Sequence, residues 1–545
     1  MVLVLEQQQS SRSASPKIVK RLLSRPLSGQ FRIPVQYPCP RLLRHALPWE
    51  IFIAIAGFLE REQLLNFSLT SSQFRRFLMP ELYRTVALDS TRACLSGLAM
   101  LHKRPELCVY IHSLTVRPNC GIICWPRMDG PIDEGEVAEM IEGLADELGN
   151  LEKFVWGGRE LPPDALWVAL RRACPMLKQV GSWAGCGHLG TQCELFNFDN
   201  LTSFSLSVLP GLKKEFLLMD IPHTLWDMLL LRSASLQELT LQLFYSSHHL
   251  HDFDRLLTAV FPCLRALHLD IMCYDNVSPP MATQPFTLLG PFLAAHPRLT
   301  DLSIHPFPDT LPLRLPATAL PALTAFVGVY HHVAELPRPE VLQTLDLTGA
   351  PVGAAELPAV VHALRRLVAL TSLDVRLAAP AILSAIVEAC GGLTTLRVVF
   401  YVNFGLKSLR GISLALQRLP HLRAFTLYKG HRFTDETMLR CALTLLAGNP
   451  ALREVHFAWF ALERFARRQN GDYVVCCDEV ETGMGMGTST GRAEGKGRRY
   501  VDVHERGVRP ANVGGGVFGR RFRYALDGKG DLRGSVGRGL ARIRR

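Results

Sequence analysis

The stretch LQTLDLTGAPVGAAELPAVVHALRRLVALTSLDVRL, residues 342 to 377, contains the pattern that decides the fold of this chain. Leu342, Leu345 and Leu347 form a six-residue phrase, apolar-x-x-apolar-x-apolar, which returns 28 residues later. Successive side chains of a strand point to opposite faces, so the fourth and sixth residues of a phrase share one face and the third and fifth share the other. Residues 355 to 367, between turn formers, have a helical pattern. The stretch predicts two parallel strands joined by a helix.

The same phrase recurs through most of the chain. Clear copies begin at Leu236, Leu264, Leu299, Leu342, Leu370, Leu393, Leu422 and Leu452. Weaker copies begin at Ile111, Leu151, Leu177, Leu201 and Leu323. From Leu151 onward the first positions lie 19 to 35 residues apart. This length and recurrence resemble a leucine-rich repeat, which implies stacked parallel strands with helical or loop crossovers that curve into an arc.

The repeats depart from the regular family pattern at one position. A regular leucine-rich repeat has Asn or Cys eight residues after its first leucine, where the side chain bonds to backbone groups in the turn. The corresponding residues here are Phe244, Met272, Phe307, Ala350, Ala378, Tyr401, Gly430 and Phe460. We therefore expect an irregular solenoid over residues 89 to 480, and an α/β domain with ordinary strand–helix alternation remains the alternative.

The strand positions that alternate with the leucines are candidates for binding a target protein. They combine carboxylates, imidazoles, arginines and an aromatic ring, and aromatic and Arg side chains dominate the energetics of protein interfaces. The candidate residues are His268, Asp270, His305, Asp346, Asp374, Arg376, Arg397, Tyr428 and His456. A solvated strand face without a partner is the alternative for each of them.

A different pattern precedes the repeats. From Ile51 to Leu59 no residue is polar, whereas a surface helix needs only one apolar stripe. Pro48 suits the first turn of a helix and Glu50 places a carboxylate at the positive end of the helix dipole, so a helix is expected to start at residue 47 or 48. A small module cannot bury so much apolar surface by itself, and such a patch is typical of a site for another protein.

Two more helices are expected directly afterwards. A second apolar segment covers residues 64 to 69, and Thr70 with Gln73 has the spacing of a capping box that opens a third helix. Pro80 is expected to end that helix, because its ring clashes with a continuing turn. Residues 46 to 88 are thus predicted to form a three-helix module.

This module resembles an F-box, particularly the form common in fungal proteins. The resemblance rests on Leu47-Pro48-x-Glu50-Ile51, Ile55, Phe58-Leu59, Leu64-Leu65 and the run SLTSSQFR, although the Cys-Arg-x-x-Trp ending of many F-boxes is Thr-Ser-Ser-Gln-Phe here. It implies docking on a Skp-type adaptor and, through it, on the cullin and RING subunits of a ubiquitin ligase. The implied adaptor-binding residues are Leu47, Pro48, Glu50, Ile51, Ile55, Leu59, Leu64 and Leu65. A helical hairpin within a larger core is the alternative.

The positive charge of the chain belongs to its two ends. The net charge is +11, of which residues 492 to 545 carry +10 and residues 1 to 46 carry +7, so the body between them is mildly acidic. Residues 1 to 45 are predicted to be a flexible basic leader, with a mitochondrial transit peptide as the alternative. The Gly/Arg-rich segment 481 to 545 has few large apolar residues and is predicted to be disordered. Arg520–Tyr524 mixes cations with aromatic rings as single-strand nucleic-acid binders do, but the footprint is short, so nucleic acid is not the expected partner.

Composition and motifs argue against several other classes. Fourteen cysteines without regular spacing fit reduced thiols in an intracellular protein, cytoplasmic or nuclear, and no span approaches the ~18 apolar residues of a membrane helix. No Gly-x-Ser-x-Gly or His-Glu-x-x-His motif is present. Cys174, Cys186, His188 and Cys193 lack the paired spacing of a zinc site, so neither a metal nor another cofactor is expected.

The fold class expected from these observations is α/β, with a small three-helix F-box, an irregular leucine-rich-repeat solenoid and disordered termini. The expected function is that of a non-catalytic substrate receptor of an SCF-type ubiquitin ligase, whose repeats bind an unknown target protein. Two alternatives remain open: an F-box scaffold that never joins a ligase, and a nucleic-acid-associated protein that acts through its basic tail.

Overall fold

The chain divides into two compact units, Met1–Leu78 and Met79–Arg545. The computed structural model describes residues 49–59, 61–119, 132–184, 189–190, 192–208, 222–245, 251–273, 288–305, 312–402, 404–429, 441, 444–446, 449, 451–459, 472–478, 499–508 and 517–526. The predicted module ended at residue 88, ten residues beyond this division. The predicted leader lies outside the described residues.

The first unit consists of short helices around three aromatic rings. Helix α1 is Trp49–Ala56, α2 is Arg61–Leu69, and α3 is Ser72–Arg84, whose last residues belong to the second unit. The ring centroids of Phe67 and Phe74 lie 4.8 Å apart, and those of Phe52 and Phe74 lie 5.2 Å apart. One aromatic from each helix therefore forms the contact that holds the three helices together.

Both ends of α3 differ from the prediction. The cap is Ser71 rather than Thr70, because the Gln73 N–H donates to the Ser71 hydroxyl at 3.2 Å while the Thr70 hydroxyl donates to the Phe67 carbonyl. The helix also continues through Pro80 to Arg84. Pro80 removes one helical N–H, but Tyr83 beyond it packs against the core of the second unit, and that packing outweighs the local preference.

The second unit is built on a sheet of parallel strands in chain order. The strands are β1 (Thr85–Leu88), β2 (Ser113–Val116), β3 (Lys153–Trp156), β4 (Gln179–Trp183), β5 (Ser203–Ser207), β6 (Glu238–Tyr245), β7 (Ala266–Cys273), β8 (Asp301–His305), β9 (Ala325–Val327), β10 (Thr344–Val352), β11 (Ser372–Leu377), β12 (Thr395–Phe400), β13 (Ala424–Lys429) and β14 (Glu454–Trp459). Within the described residues, each of the strands β1 to β13 pairs in parallel with the next one along the chain. This order is that of a solenoid, and the predicted fold class is confirmed.

The connections between the strands are irregular. The helices are α4 (Thr91–Lys103), α5 (Glu134–Glu142), α6 (Asp164–Ala173), α7 (His223–Leu231), α8 (His251–Leu257), α9 (Leu289–Ala294), α10 (Tyr330–Glu335), α11 (Leu357–Arg365), α12 (Leu383–Ala389) and α13 (Leu406–Leu416). Short 3-10 turns such as Pro380–Ile382 occur in several connections. Matched strand positions lie as little as 19 residues apart, from Ala325 to Thr344, and as much as 40, from Ser113 to Lys153.

One continuous core runs through the repeats. The fourth and sixth residues of the phrases are buried in register, as Leu345, Leu373 and Leu396 show with 0% exposure each, and they share this core with the inner sides of the helices. Burying a leucine side chain fully stabilises a fold by about 1.5–3 kcal/mol, so the repeated leucines are the main source of stability. The predicted alternation of the phrases is confirmed.

A hydrogen-bond ladder connects each repeat to the one before it. The Gln343 carbonyl accepts the backbone N–H of Thr371 at 2.9 Å and that of Ser372 at 3.0 Å. The Thr371 hydroxyl donates to the same carbonyl at 3.2 Å. Corresponding hydroxyl bonds are made by Thr202, Thr300, Thr324 and Thr394. The threonine after the first leucine of these five phrases thus adds a third donor to a carbonyl of the preceding repeat that already accepts two backbone N–H groups.

Beyond β14 the sheet changes direction. Strands β15 (Asp472–Asp478), β16 (Arg499–Val508) and β17 (Val517–Leu526) continue it in antiparallel pairs. The last two fall inside the segment predicted to be disordered, so the structure differs from that prediction over these twenty residues. Valine and aromatic residues occur there among the glycines and arginines, as in the pair Val503 and Phe522, and such residues favour strands. The remaining residues of this segment lie outside the described part of the chain.

Candidate protein-interaction surfaces

The helical module has an apolar surface on its first two helices. Ile51 and Ile55 are each 42% exposed and lie one turn apart on α1. Leu65 and Leu69 are 50% and 61% exposed and lie one turn apart on α2. Phe58, in the turn after α1, is 90% exposed. We call these five residues the apolar surface; so many exposed large side chains on so short a segment are typical of a binding site for another protein.

The structure places the eight predicted adaptor-binding residues in different environments. Ile51, Ile55 and Leu65 lie on the apolar surface, and Leu59 is half-buried. Leu64 is only 6% exposed, so its side chain supports the module and does not face a partner. Leu47 and Pro48 lie outside the described residues, as does the side chain of Glu50. The prediction missed Phe58 and Leu69 as surface residues, although both were visible in the sequence as apolar residues beside the predicted contacts.

A second candidate surface is the side of the sheet opposite the leucines, which we call the polar face. It consists of the side chains of β6 to β14 that alternate with the buried core residues. The register aligns the fifth phrase positions in one row: Thr240, His268, Ser303, Val327, Asp346, Asp374, Arg397, Thr426 and His456. Most of them are half-buried, in contrast to the fully buried leucines between them.

Six of the nine predicted target-binding residues come together on β10 to β14. The Arg397 guanidinium lies 3.4 Å from the Asp374 carboxylate and 4.8 Å from the centre of the Tyr428 ring. The Tyr428 ring in turn meets the His456 ring edge-on, with 5.7 Å between centroids. Asp346 is the register partner of Asp374 on the neighbouring strand. Charged and aromatic side chains therefore form one contiguous group, which includes Arg376 on β11.

The other three predicted residues lie on β7 and β8. Burial lowers the pKa of His268, against the opposing effect of Asp301 and Glu238. The neutral imidazole is therefore favoured there. Asp270 is half-buried on the same strand, and His305 ends β8, with its side chain outside the described part of the chain. The sheet thus separates the nine residues into two groups on one face.

In the larger group, the negative charge of Asp374 is in an unfavourable environment. Burial raises the pKa of its carboxyl group, the nearby Asp346 raises it further, and Arg397 opposes both effects. The Asp346 carboxylate accepts hydrogen bonds from the backbone N–H and the hydroxyl of Thr348, at 2.7 and 2.6 Å. Two neighbouring carboxylates and one arginine are held together at a cost to stability, as at many functional sites.

Two residues near this group were not selected by the sequence analysis: Tyr401, whose ring contacts Arg376, and Lys429, which lies on the core side of β13. Tyr401, just after β12, is 53% exposed, and the Arg376 guanidinium lies 4.0 Å from the centre of its ring. Lys429, at the end of β13, is fully buried and donates from Nζ to the Phe404 carbonyl at 2.9 Å. A lysine at a core position of a strand is the sequence signal that could have identified it.

The structure adds detail on the cysteines considered for a metal site. Cys174 and Cys193 are buried, and burial raises the pKa of the Cys193 thiol to about 12. Cys186 and His188 lie outside the described residues. Within the described part of the chain, no group of three or more His, Cys, Asp or Glu side chains could hold a metal ion.

No family model matches the chain. No curated protein matches it either. Among solved structures, a chain from the crystal structure of the Rad7 and Elc1 complex in yeast is 13% identical, with a TM-score of 0.38 over 71% of this chain and 94% of that chain. The leucine-rich-repeat-containing protein LegL7 from Legionella pneumophila is 13% identical, with a TM-score of 0.26 over 65% of this chain and 87% of that one. At such TM-scores the fold assignment rests on the parallel register of the chain itself.

None of the helices within the described ranges combines the length and the apolar character needed to cross a membrane. Apolar residues of α4 to α13 pack in the core of the second unit.

Proposed function

We propose that this protein is the substrate-recognition subunit of an SCF-type cullin–RING ubiquitin ligase. In this proposal the helical module binds a Skp-type adaptor, and the repeats bind the target protein. The chain is not itself a catalyst; it brings lysines of the target to the ubiquitin-charged enzyme.

The observation that carries the proposal is the apolar surface of the helical module. Ile51, Ile55, Phe58, Leu65 and Leu69 expose 42% to 90% of their surface, while Ala56, Leu64 and Ser68 among them are buried. The module therefore has its own interior and still presents large side chains outward. That is the property expected of a docking module, since isolated exposed leucines would need no explanation but a group of five does.

The repeats support the second half of the proposal. A stacked array of parallel strands presents a long surface whose side chains can vary without affecting the buried leucines. The group on β10 to β14 includes Arg and Tyr side chains, which are enriched at the energetic centres of interfaces. Attachment and selection would then be carried out by different units of the chain.

Co-expression with a Skp-type adaptor and a cullin tests this function. We expect the full-length chain to co-purify with both, and Ile51→Asp with Ile55→Asp to lose both, because a carboxylate cannot be buried in an apolar interface without a partner. The matched control is Leu414→Asp on α13, where the leucine is 62% exposed and lies in the other unit. Retention of the adaptor by the Ile51 and Ile55 variant would refute the docking role. Co-purification of the adaptor without cullin would favour a scaffold that never joins a ligase.

A further inference from the structure

Arg376 differs from the other described arginines of the polar face. Arg397 has a carboxylate partner, whereas the Arg376 guanidinium has no hydrogen-bond or ion-pair partner among the described residues. Its Nε atom is buried and unpaired as well. An arginine has five N–H donors, and leaving them unpaired while partly removed from water is unfavourable. Such a side chain is suited to receive an acceptor from outside the chain.

The side chain of Arg376 is nevertheless held in place. The guanidinium lies 4.0 Å from the centre of the Tyr401 ring, within the range of a cation–π contact. Phe400 and Phe404, on either side of Tyr401 in the sequence, are themselves anchored, because the buried Lys429 donates to the Phe404 carbonyl and the Phe404 ring packs edge-on against Phe400 at 5.0 Å. The guanidinium is therefore oriented before any ligand binds, which lowers the entropy cost of binding.

The neighbouring charges select the kind of acceptor. Asp374 lies two residues before Arg376 on the same face of β11, and Asp346 lies beside Asp374 on β10. A singly charged carboxylate neutralises the single charge of Arg376, whereas the second charge of a phosphate would add repulsion from the two carboxylates without a further free cation among the described residues of this face to offset it. A planar carboxylate also matches the fork of a guanidinium with two parallel hydrogen bonds.

From this geometry we infer that Arg376 is the recognition residue of the polar face and that it binds the carboxylate of an Asp or Glu side chain on a segment of a partner protein. Tyr401 is the platform that orients the guanidinium, and the neighbouring Tyr428 and His456 lie on the same face beside it. The identification of that partner with the ligase target rests on the proposed function; the binding itself does not.

The test uses the full-length chain and a phage-displayed library of random peptides. Peptides selected on the immobilised protein are synthesised with a fluorophore, and their dissociation constants are measured by fluorescence polarisation. We expect an enriched Asp or Glu, and replacement of that residue by Ala should weaken binding on the order of tenfold. On Arg376→Gln the acidic peptide and its Ala version should bind equally weakly.

The matched control is Arg410→Gln. Arg410 is exposed on α13 and has no partner among the described residues, so this substitution removes the same charge without removing the proposed contact. It should change the dissociation constant by no more than about twofold. Thermal unfolding of both variants checks that the fold is intact.

Three results would overturn the inference: selection of peptides without an acidic residue, equal sensitivity of wild type and Arg376→Gln to the Glu→Ala change in the peptide, or tighter binding of a phosphoserine version than of the Glu version. The peptides are bound without the adaptor. Loss of peptide binding and loss of adaptor co-purification therefore report on different surfaces and can be told apart.

Discussion

The apolar surface makes a quantitative prediction at Phe58. This side chain is 90% exposed in the free chain, so nearly all of its apolar surface is available to a partner. Complete burial of a side chain of this class stabilises by about 1.5–3 kcal/mol, and nine-tenths of that is about 2 kcal/mol. Phe58→Ala should therefore weaken adaptor binding roughly 30-fold if the adaptor covers the ring.

The measurement is the dissociation constant of the full-length chain for a purified Skp-type adaptor, by biolayer interferometry. Phe58→Ala should leave thermal unfolding almost unchanged, since a side chain this exposed contributes little to the fold. The control is Leu231→Ala, because Leu231 is 77% exposed at the end of α7 in the other unit. A loss of less than about threefold for Phe58→Ala, or an equal loss for the control, would show that the ring is not at the interface and would refute the reasoning.

Three further predictions concern the repeats. Thr371→Val removes the hydroxyl bond to the Gln343 carbonyl and should lower the free energy of unfolding by about 0.5–1.5 kcal/mol, measured with urea. Burial raises the pKa of Cys390 to about 12, so this thiol should resist iodoacetamide at neutral pH until the protein unfolds, as mass spectrometry of the alkylated protein can show. Burial lowers the pKa of His296, whose Nε2 accepts the Phe261 N–H, so the folded state favours the neutral imidazole. The contribution of His296 to the free energy of unfolding is therefore fully present above the unfolded pKa near 6.5 and is lost as the pH falls below that value. Urea midpoints at pH 7.5 and 5.5 should differ less for His296→Gln than for wild type.

The repeat strands could be predicted because alternation and burial coincide in them. Each predicted phrase, from Ile111 to Leu452, falls on one of the strands β2 to β14. Strand β1 was missed although Tyr83, Val86 and Leu88 fit the same phrase, because its first residue is a tyrosine inside α3. No break in the sequence separates β1 from α3, so the sequence analysis includes this phrase in the helical module. Helix and strand signals that overlap cannot be divided by periodicity alone.

The target-binding residues could be predicted as a set but not as contacts. Strand alternation alone places Asp374, Arg376 and Arg397 on one face. Alternation does not reveal that Arg397 pairs with Asp374 of the preceding strand, whereas Arg376 contacts Tyr401 of the following repeat. Both arginines contact a tyrosine of the next repeat, two positions beyond their register partner. The phrases predict the register, but the neighbour that a long side chain contacts depends on its rotamer, which the sequence pattern leaves undetermined.

The missing asparagine position has a structural replacement. In a regular leucine-rich repeat a polar side chain in the turn bonds to backbone groups, and the residues at that position here are mostly apolar. In this structure a side chain–backbone bond recurs instead at the second position of five phrases, where a Leu-Thr pair places a hydroxyl against a carbonyl of the preceding repeat. These hydroxyl bonds lie just before five of the strands, β5, β8, β9, β11 and β12, and not at the C-terminal ends of those strands. Arg376 lies near the C-terminal end of β11, and Tyr401 directly follows β12. Both are therefore away from the threonine hydroxyl bonds, and a substitution at either position leaves those bonds intact.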